Sequence, residues 1–364
     1  MKIAQIVAAI EEFAPLRLQE SYDNAGLIIG NADDQAEAAL ITLDVTDAVV
    51  QEAIDRRCNL IIAHHPLIFK GIKRIGNDTF VGRLVSKCIK NDIAVYAAHT
   101  NLDNMKDGVN RIIADRIGLR NTRVLVPLPQ QLRKLVTFCP KANADKVRAA
   151  LFSAGAGHIG NYDSCSFSAA GRGSFRAGQN ADPYVGAVGE LHYEPEERIE
   201  TIFPVTRQTT VVAALLRAHP YEEAAYDIYT LENSFDATGA GLTGELETPE
   251  ETLSFLKRLK KTFGAEGIRH TPIVDEKVTR IAVCGGSGSF LIHQAIRADA
   301  QVFVTGDVKY HDFFEADGRM LIADIGHYES EQFTKELLMN IIKKKYSNFA
   351  VQISGANTNP VKYL

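Results

Sequence analysis

The sequence predicts a discontinuous α/β domain with a parallel-rich sheet, interrupted by a ferredoxin-like α+β insert, and three observations carry that prediction. Short β-branched runs alternate strictly with amphipathic helical runs from Ala38 to Gly118, which is the pattern of βαβ units on a parallel sheet. The same rhythm returns between Arg280 and Ile353. Between the two, residues 131–231 read as strand, helix, strands, helix, strand, the order of a ferredoxin-like unit.

In order along the chain, Ile3, Ile6, Val7 and Ile10 recur at helical spacing with Glu11 and Glu12 in the same run, which makes an amphipathic helix and no signal peptide. Residues 40–43 form a strand and 47–57 a helix; 60–63 a strand and 78–90 a helix; 93–98 a strand and 108–117 a helix. In the middle stretch, 134–138 is a strand, 144–154 a helix, 164–175 a Ser/Gly-rich strand pair, 198–203 a strand, 209–217 a helix and 225–229 a strand. Each middle helix closes on a Gly/His or His/Pro turn, at 154–158 and 217–221, and packing or assembly is the role expected of that repetition. The last stretch gives strands at 280–284, 301–305, 320–324 and 349–353, with helices at 289–297, near His311, and at 329–344. The proline-bearing run 126–130 and the glycine-rich run 234–244 have boundary composition. The expected domains are therefore 1–128, 129–233 and 234–364, the first and last being halves of one.

At 364 residues the chain exceeds the size at which a single core keeps growing, which agrees with two domains. A hydrophobic share of 46% against 23% charged supplies enough apolar surface for both cores. The net charge of −5 and pI near 6.1 disfavour nucleic acid as a bulk electrostatic partner. Five cysteines lie scattered without CxxC spacing, so they are expected to be reduced, structural and cytoplasmic. No apolar run reaches the roughly 20 residues that a membrane helix needs.

Metal-type residues stand at strand ends and are split between the two halves. His64 and His65 close the apolar run of the strand at 60–63 and are followed by Pro66. Adjacent residues on a continuing strand would face opposite ways, but the proline stops the strand and lets both rings turn into one pocket. That pocket lies at the carboxyl edge, where open α/β sheets bind ligands. The plainer alternative is one buried, hydrogen-bonded ring and one solvated ring. Asp103 follows the next strand, four residues after His99, and sequential strands of βαβ units lie side by side. Asp103 could instead cap a helix or a turn, since Asn101 and Asn104 flank it. His327 and Glu331 are four apart, one helical turn, and share a face. Glu329 points elsewhere.

Two imidazoles, a carboxylate and a His/Glu pair can hold two divalent cations, with Glu331 bridging and water completing each shell. His and carboxylate donors without thiolate suit Zn, Fe, Mn or Co, and Zn and Fe lead. His99 and His311 are the spare histidines nearest this edge and are read as proton-transfer residues. The turn 284–289 between strand and helix offers backbone N–H groups to an anion or is simply a tight turn. Asp307 and Lys309 contact substrate or pair with each other.

Taken together, the runs 22–27 (YDNAGL), 63–66 (AHHP), 99–103 (HTNLD), 285–288 (GGSG), 305–311 (TGDVKYH), 326–331 (GHYESE) and 357–360 (NTNP) resemble, in order, the pattern of the NIF-three-like dinuclear metal centre family, also called GTP cyclohydrolase 1 type 2 homologues. The insert, with residues 155–162 and 218–223, is similar to the PII/CutA-like insert of the longer bacterial members. Tyr22 stands where many members carry Trp, which touches pocket shape and leaves the ligands intact.

The resemblance implies metal ligation by His64, His65, Asp103, His327 and Glu331, and a ring-like homohexamer whose sites face an internal cavity. It also implies hydrolysis of a nucleotide or related small molecule, with opening of the guanine imidazole ring of GTP and release of formate by metal-activated water as one form. Two other readings stand beside it: a metal-dependent regulatory or scaffold ring that binds a ligand or partner without turnover, and a phosphoesterase using the same metals.

Overall fold

The computed structural model describes residues 1–364, and the chain divides into two compact units: Met1–Pro127 with Asp236–Leu364, and Leu128–Phe235. The first unit begins with α1 (Ile3–Phe13), β1 (Gly26–Ile29), β2 (Ala38–Thr42), α2 (Asp47–Asp55), β3 (Leu60–Ala63), α3 (Phe80–Lys90), β4 (Ala94–Ala97), α4 (Thr100–Asp103), α5 (Val109–Ile117) and β5 (Arg120–Pro127). The second unit consists of β6 (Leu132–Pro140), α6 (Ala144–Ser153), β7 (Phe167–Arg176), β8 (Leu191–Pro204), α7 (Gln208–Ala218) and β9 (Tyr226–Leu231). The first unit resumes with β10 (Gly239–Glu251), α8 (Thr252–Phe263), β11 (Arg269–His270), β12 (Lys277–Ser287), α9 (Ile292–Arg297), β13 (Val302–Gly306), β14 (Leu321–Asp324), α10 (His327–Glu331), α11 (Thr334–Lys345) and β15 (Ala350–Ile353).

Two sheets organise the first unit. One has the order β1-β4-β3-β2-β15 and the other β11-β14-β13-β12-β10-β5. β15, β2, β3 and β4 run parallel, as do β12, β13 and β14. Their central strands, LIIA, AVYA and LIAD, are buried along their whole length, as strands covered on both faces must be. Thr46 and Thr79 cap α2 and α3 by accepting from the backbone N–H of Val49 and Gly82, which satisfies donors a helix start leaves free. A core drawn from α1, α5, α8, α11 and both sheets joins the two chain halves, with Tyr96, Phe255 and Phe263 among its buried side chains. No helix is long and apolar enough to cross a membrane, and all five cysteines are free.

In the second unit the sheet order β7-β8-β6-β9 is antiparallel throughout. Val147, Leu151, Val211 and Leu215 of its two helices pack on Leu135, Cys139, Ile199 and Phe203.

The α/β class and the interrupting α+β unit stand as expected, while several elements differ. The expected strand pair at 164–175 is the single strand β7, and its partner β8 is 14 residues long. The glycine-rich exit from the insert is largely strand: β10 starts at Gly239, and a Cβ on Gly241 (φ +64°) would press on Leu291 and the Val283 carbonyl. Those glycines serve close backbone approach inside a sheet. The expected helix at 329–344 is broken after Glu331, where the Phe333 ring docks on Phe263 and under the Arg116 guanidinium.

Candidate metal centre

Five parallel strands end at one place in the first unit, and each delivers a side chain there: β2 gives Asp44, β3 His64 and His65, β4 His99, β13 Asp307 and β14 His327. His64 and His65 are both still paired to the β2 end, through Thr42 and Leu43 carbonyls, yet their ring centroids lie 4.9 Å apart in one cluster. His99 joins them, 5.3 and 5.4 Å from the two rings.

Each imidazole is aimed through its Nδ1. The acceptors are the Ala98 carbonyl for His64, Asp44 for His65, Asp23 for His99 and Asp307 for His327, every one at 2.7 Å. A carbonyl or carboxylate oxygen only accepts, so the network assigns the Nδ1 proton as donor in all four rings. In the neutral rings each Nε2 then presents a lone pair.

Those lone pairs converge with two carboxylates into two donor triads. His64 Nε2 lies 3.6 Å from Asp103 Oδ1 and 3.7 Å from Glu331 Oε1. His65 Nε2 and His327 Nε2 are 3.2 Å apart, and both lie 3.0 Å from Glu331 Oε2. Glu331 thus gives one oxygen to each triad. Donors bound to one tetrahedral ion at about 2.1 Å stand roughly 3.4 Å apart, which these spacings bracket. His64 Nε2 and Asp103 Oδ1 are buried without any hydrogen-bond partner, a costly state unless something else satisfies them. The donor set and the orphaned atoms fit a divalent cation, and His64, His65 and His99 form a third close group of candidate donors.

In the absence of metal, protons meet the same need. Burial works against a charged imidazole, yet Asp44 and Glu331 outweigh it and lift His65 from an ordinary 6.5 to about 9; Glu331 and Asp307 lift His327 to about 11. Glu331 itself, though buried, is held well below the ordinary carboxylate range by His327 and His64. Metal needs these rings unprotonated, so two opposite trends are expected. Metal uptake at pH 7 releases protons, and affinity rises from pH 7 toward 9. In the chelated protein the raised His65 value contributes stability below about pH 6.5 that is lost as pH climbs through about 9. Calorimetry in buffers of different ionisation heat measures the first, and thermal unfolding across that range the second.

Asp103 sits at the end of the single turn α4. The asparagines that flank it are structural: Asn101 Nδ2 donates to the Ala14 carbonyl and Asn104 Nδ2 to that of Leu18. Asp23, beside His99, accepts also from the Thr100 N–H and hydroxyl; burial opposes its charge, but these bonds hold its carboxyl at about 2.

One expectation is corrected and two readings left open are narrowed. His311 is exposed, with its ring against Tyr310 and Phe314, and is not brought to the cluster, because the short helix at 310–316 carries it outward. The N–H groups of the 284–289 turn do not await an anion: those of Gly285, Gly286 and Gly288 donate to Asn110, Ser330 and Thr305. Asp307 pairs with His327 and not with Lys309, which is exposed.

Residue-level reading missed the orienting role of Asp23, Asp44 and Asp307, although Asp44 and Asp307 follow strand carboxyl ends as His64 and His65 do. It also missed the closing segment. Thr358 Oγ1 donates to Asp44 Oδ2 at 2.6 Å, and Asn359 Nδ2 to Glu329 Oε1 at 2.9 Å. Thr358 thereby fixes the carboxylate that fixes His65. Thr358→Val is expected to weaken metal binding by up to about tenfold, with Thr358→Ser restoring it, as read by chelator competition.

The triads open on a cavity of about 680 Å³, walled by Phe69, Tyr328 and Tyr363, with Arg269 on its rim. Asp324 and the Val308 carbonyl hold one guanidinium nitrogen of Arg269.

Fold and site together define an α/β protein with a buried histidine–carboxylate centre of the kind that could hold metal. The model of the Duf34/NIF3 (NGG1p interacting factor 3) family matches residues 1–360, and the chain belongs to that family. A Bacillus subtilis protein named GTP cyclohydrolase 1 type 2 homolog is 41% identical over 99% of this chain and 98% of its own length. A Mycobacterium tuberculosis protein of the same name is 36% identical over 91% of this chain and 88% of its own. The solved structure of a Bacillus cereus protein related to NIF3 superposes with a TM-score of 0.89 at 40% identity, covering 100% of this chain and 99% of that one.

Proposed function

We propose that the chain is a metal-dependent hydrolase of a nucleotide or related small molecule, acting in the cytoplasm with two divalent ions, Zn or Fe, per chain. The observation that carries this reading is the pair of donor triads sharing Glu331, with His64 Nε2 and Asp103 Oδ1 buried and unpartnered. His64, Asp103 and Glu331 would hold one ion; His65, His327 and Glu331 the other. Such ions polarise a substrate oxygen or ring and bring bound water near a pKa of about 7.

The chain's own residues supply the rest. His99, held by Asp23 through Nδ1, keeps Nε2 toward the cluster and carries protons between water and the leaving atom. Phe69, Tyr328 and Tyr363 offer faces to a flat base, and Arg269 an anchor to an anionic group. The relatives' printed name makes GTP, opened at its imidazole ring with release of formate, the first substrate to test.

The test is metal analysis of protein purified without chelator or affinity metal, with a chromatographic assay of GTP loss and formate. About two metals per chain, and turnover lost on chelation and regained on metal return, support the reading. Metal without turnover moves it to a binding or scaffold role, and no metal overturns it. We also propose a ring-like homohexamer, for which exposed Phe290, Tyr310 and Phe314 on the first unit are candidate contact residues. Sedimentation at six times the 40.0 kDa chain mass is the expected result.

A further inference from the structure

A second cavity of about 680 Å³ lies wholly within the inserted unit, apart from every residue of the metal centre. Along β7 its lining includes the small residues Ala169, Ala170, Gly171, Gly173 and Ser174, with Arg172 and Phe175 beside them. Four aromatic side chains line it, Phe138, Phe175, Tyr184 and Tyr221; Tyr221 is 6.0 Å from Phe175 and 6.3 Å from Tyr184, tilted by 57° and 53°. These are tilted ring–ring contacts, and all three of these rings border the cavity.

The charges at this cavity are unevenly committed. Its two arginines are engaged elsewhere, Arg172 over the Tyr193 ring and Arg198 with Glu200. Its three glutamates, Glu196, Glu222 and Glu223, make no ion pair with any cation. Glu196 is placed deliberately: Tyr221 donates its hydroxyl to Oε1 at 2.7 Å, and a side chain at Gly173 would collide with Oε2. The carboxylate therefore keeps one oxygen for an occupant. Glu222 ties the cavity's two rims, accepting from the Asp182 N–H at 2.7 Å.

We propose that this cavity is a ligand site for a small organic cation of the alkylammonium or quaternary ammonium class, held by the faces of Phe175, Tyr184 and Tyr221 and by the Glu196 carboxylate. Aromatic faces attract such cations through the ring quadrupole, more strongly when water is excluded. An apolar floor accepts the alkyl groups that a hydrated metal ion lacks, and the free carboxylate selects against anions. The inference does not depend on the hydrolase reading, since none of these residues touches the metal centre.

The test is titration of the full-length protein with tetramethylammonium chloride at constant ionic strength, followed by NMR or calorimetry, with neopentyl alcohol as an uncharged control of similar shape. Saturable ammonium binding at least about tenfold tighter than the alcohol is expected. Glu196→Gln and Phe175→Ala should each weaken it by about tenfold, while Tyr221→Phe, which keeps the ring and frees Glu196 Oε1, should retain it. Metal content and circular dichroism of each variant confirm that the fold is intact. Equal binding of the alcohol, no saturation by tens of millimolar, or unchanged binding in Phe175→Ala would each overturn the proposal.

Discussion

Glu331→Gln is expected to strip metal from both donor triads at once. Its carboxylate gives Oε1 to the His64 side and Oε2 to the His65 and His327 side, whereas glutamine sets an NH2 that cannot ligate against one triad and leaves the other a neutral, weaker oxygen. Loss of a partner that only orients a ligand costs about 10–100-fold in metal affinity, so loss of the shared ligand should exceed about 100-fold. The chelated protein should suffer too. The Glu331 side chain is 4% exposed and neutralises protonated His65 and His327, and removing one member of such a buried group costs about 3–5 kcal/mol. Metal analysis and thermal unfolding of the chelated variant read the two effects. Full metal content with wild-type affinity would remove Glu331 from the centre.

Gly286→Ala is expected to produce nearly the same metal loss without replacing any residue of either triad. Gly286 has φ +59°, a conformation that costs an alanine about 1–2 kcal/mol. Its added Cβ would run into Glu331 Oε1 and lie 3.3 Å from His327 Cε1. Glu331 has no free space to swing into, being buried and committed to three histidines, so both triads open. Gly285→Ala is the control: φ is not in the left-handed region, and its Cβ would meet Val109, Ile113 and the Glu331 Cγ at 3.0–3.3 Å. A smaller loss of metal affinity is expected there. Equal affinity in Gly286→Ala and the parent protein would show that Glu331 tolerates displacement.

The difference between these two glycines also shows what was readable in the chain. A Gly-Gly between strand and helix signals tight backbone geometry, and sequence reasoning left it open whether an anion or only a tight turn called for it. What approaches is Glu331, from 45 residues further on, and no local pattern encodes that. The residues that the structure gathers were legible because His64, His65 and His327 stand at or just past the ends of apolar runs that had to be buried parallel strands, with Asp103 and Glu331 one short helix further on, and carboxyl ends of such strands gather at one edge. Asp44 follows the same rule and was overlooked, since a lone aspartate lacks the histidine that draws attention. His311 was over-read for the opposite reason, as a histidine near the right edge in sequence that a short helix turns outward. Among the elements, β3, β4 and β14 declare themselves by composition. β10 does not, because its glycines serve strand packing while looking like a linker.

Two members of the centre that touch, His65 and Glu331, are separated by 266 residues. During synthesis at about 5–20 residues per second, His64 and His65 therefore emerge roughly 13–53 s before the carboxylate that completes either triad, with Asp103 in between. Through that interval the nascent chain carries a half-built cluster of imidazoles able to bind an ion loosely and in the wrong geometry. An ion captured early would have to be exchanged or enclosed when α10 docks, so timing as well as affinity would decide which ion a loaded centre carried. Refolding the denatured protein with one metal present from the start, and in parallel supplying it only after folding, would separate capture from equilibrium choice.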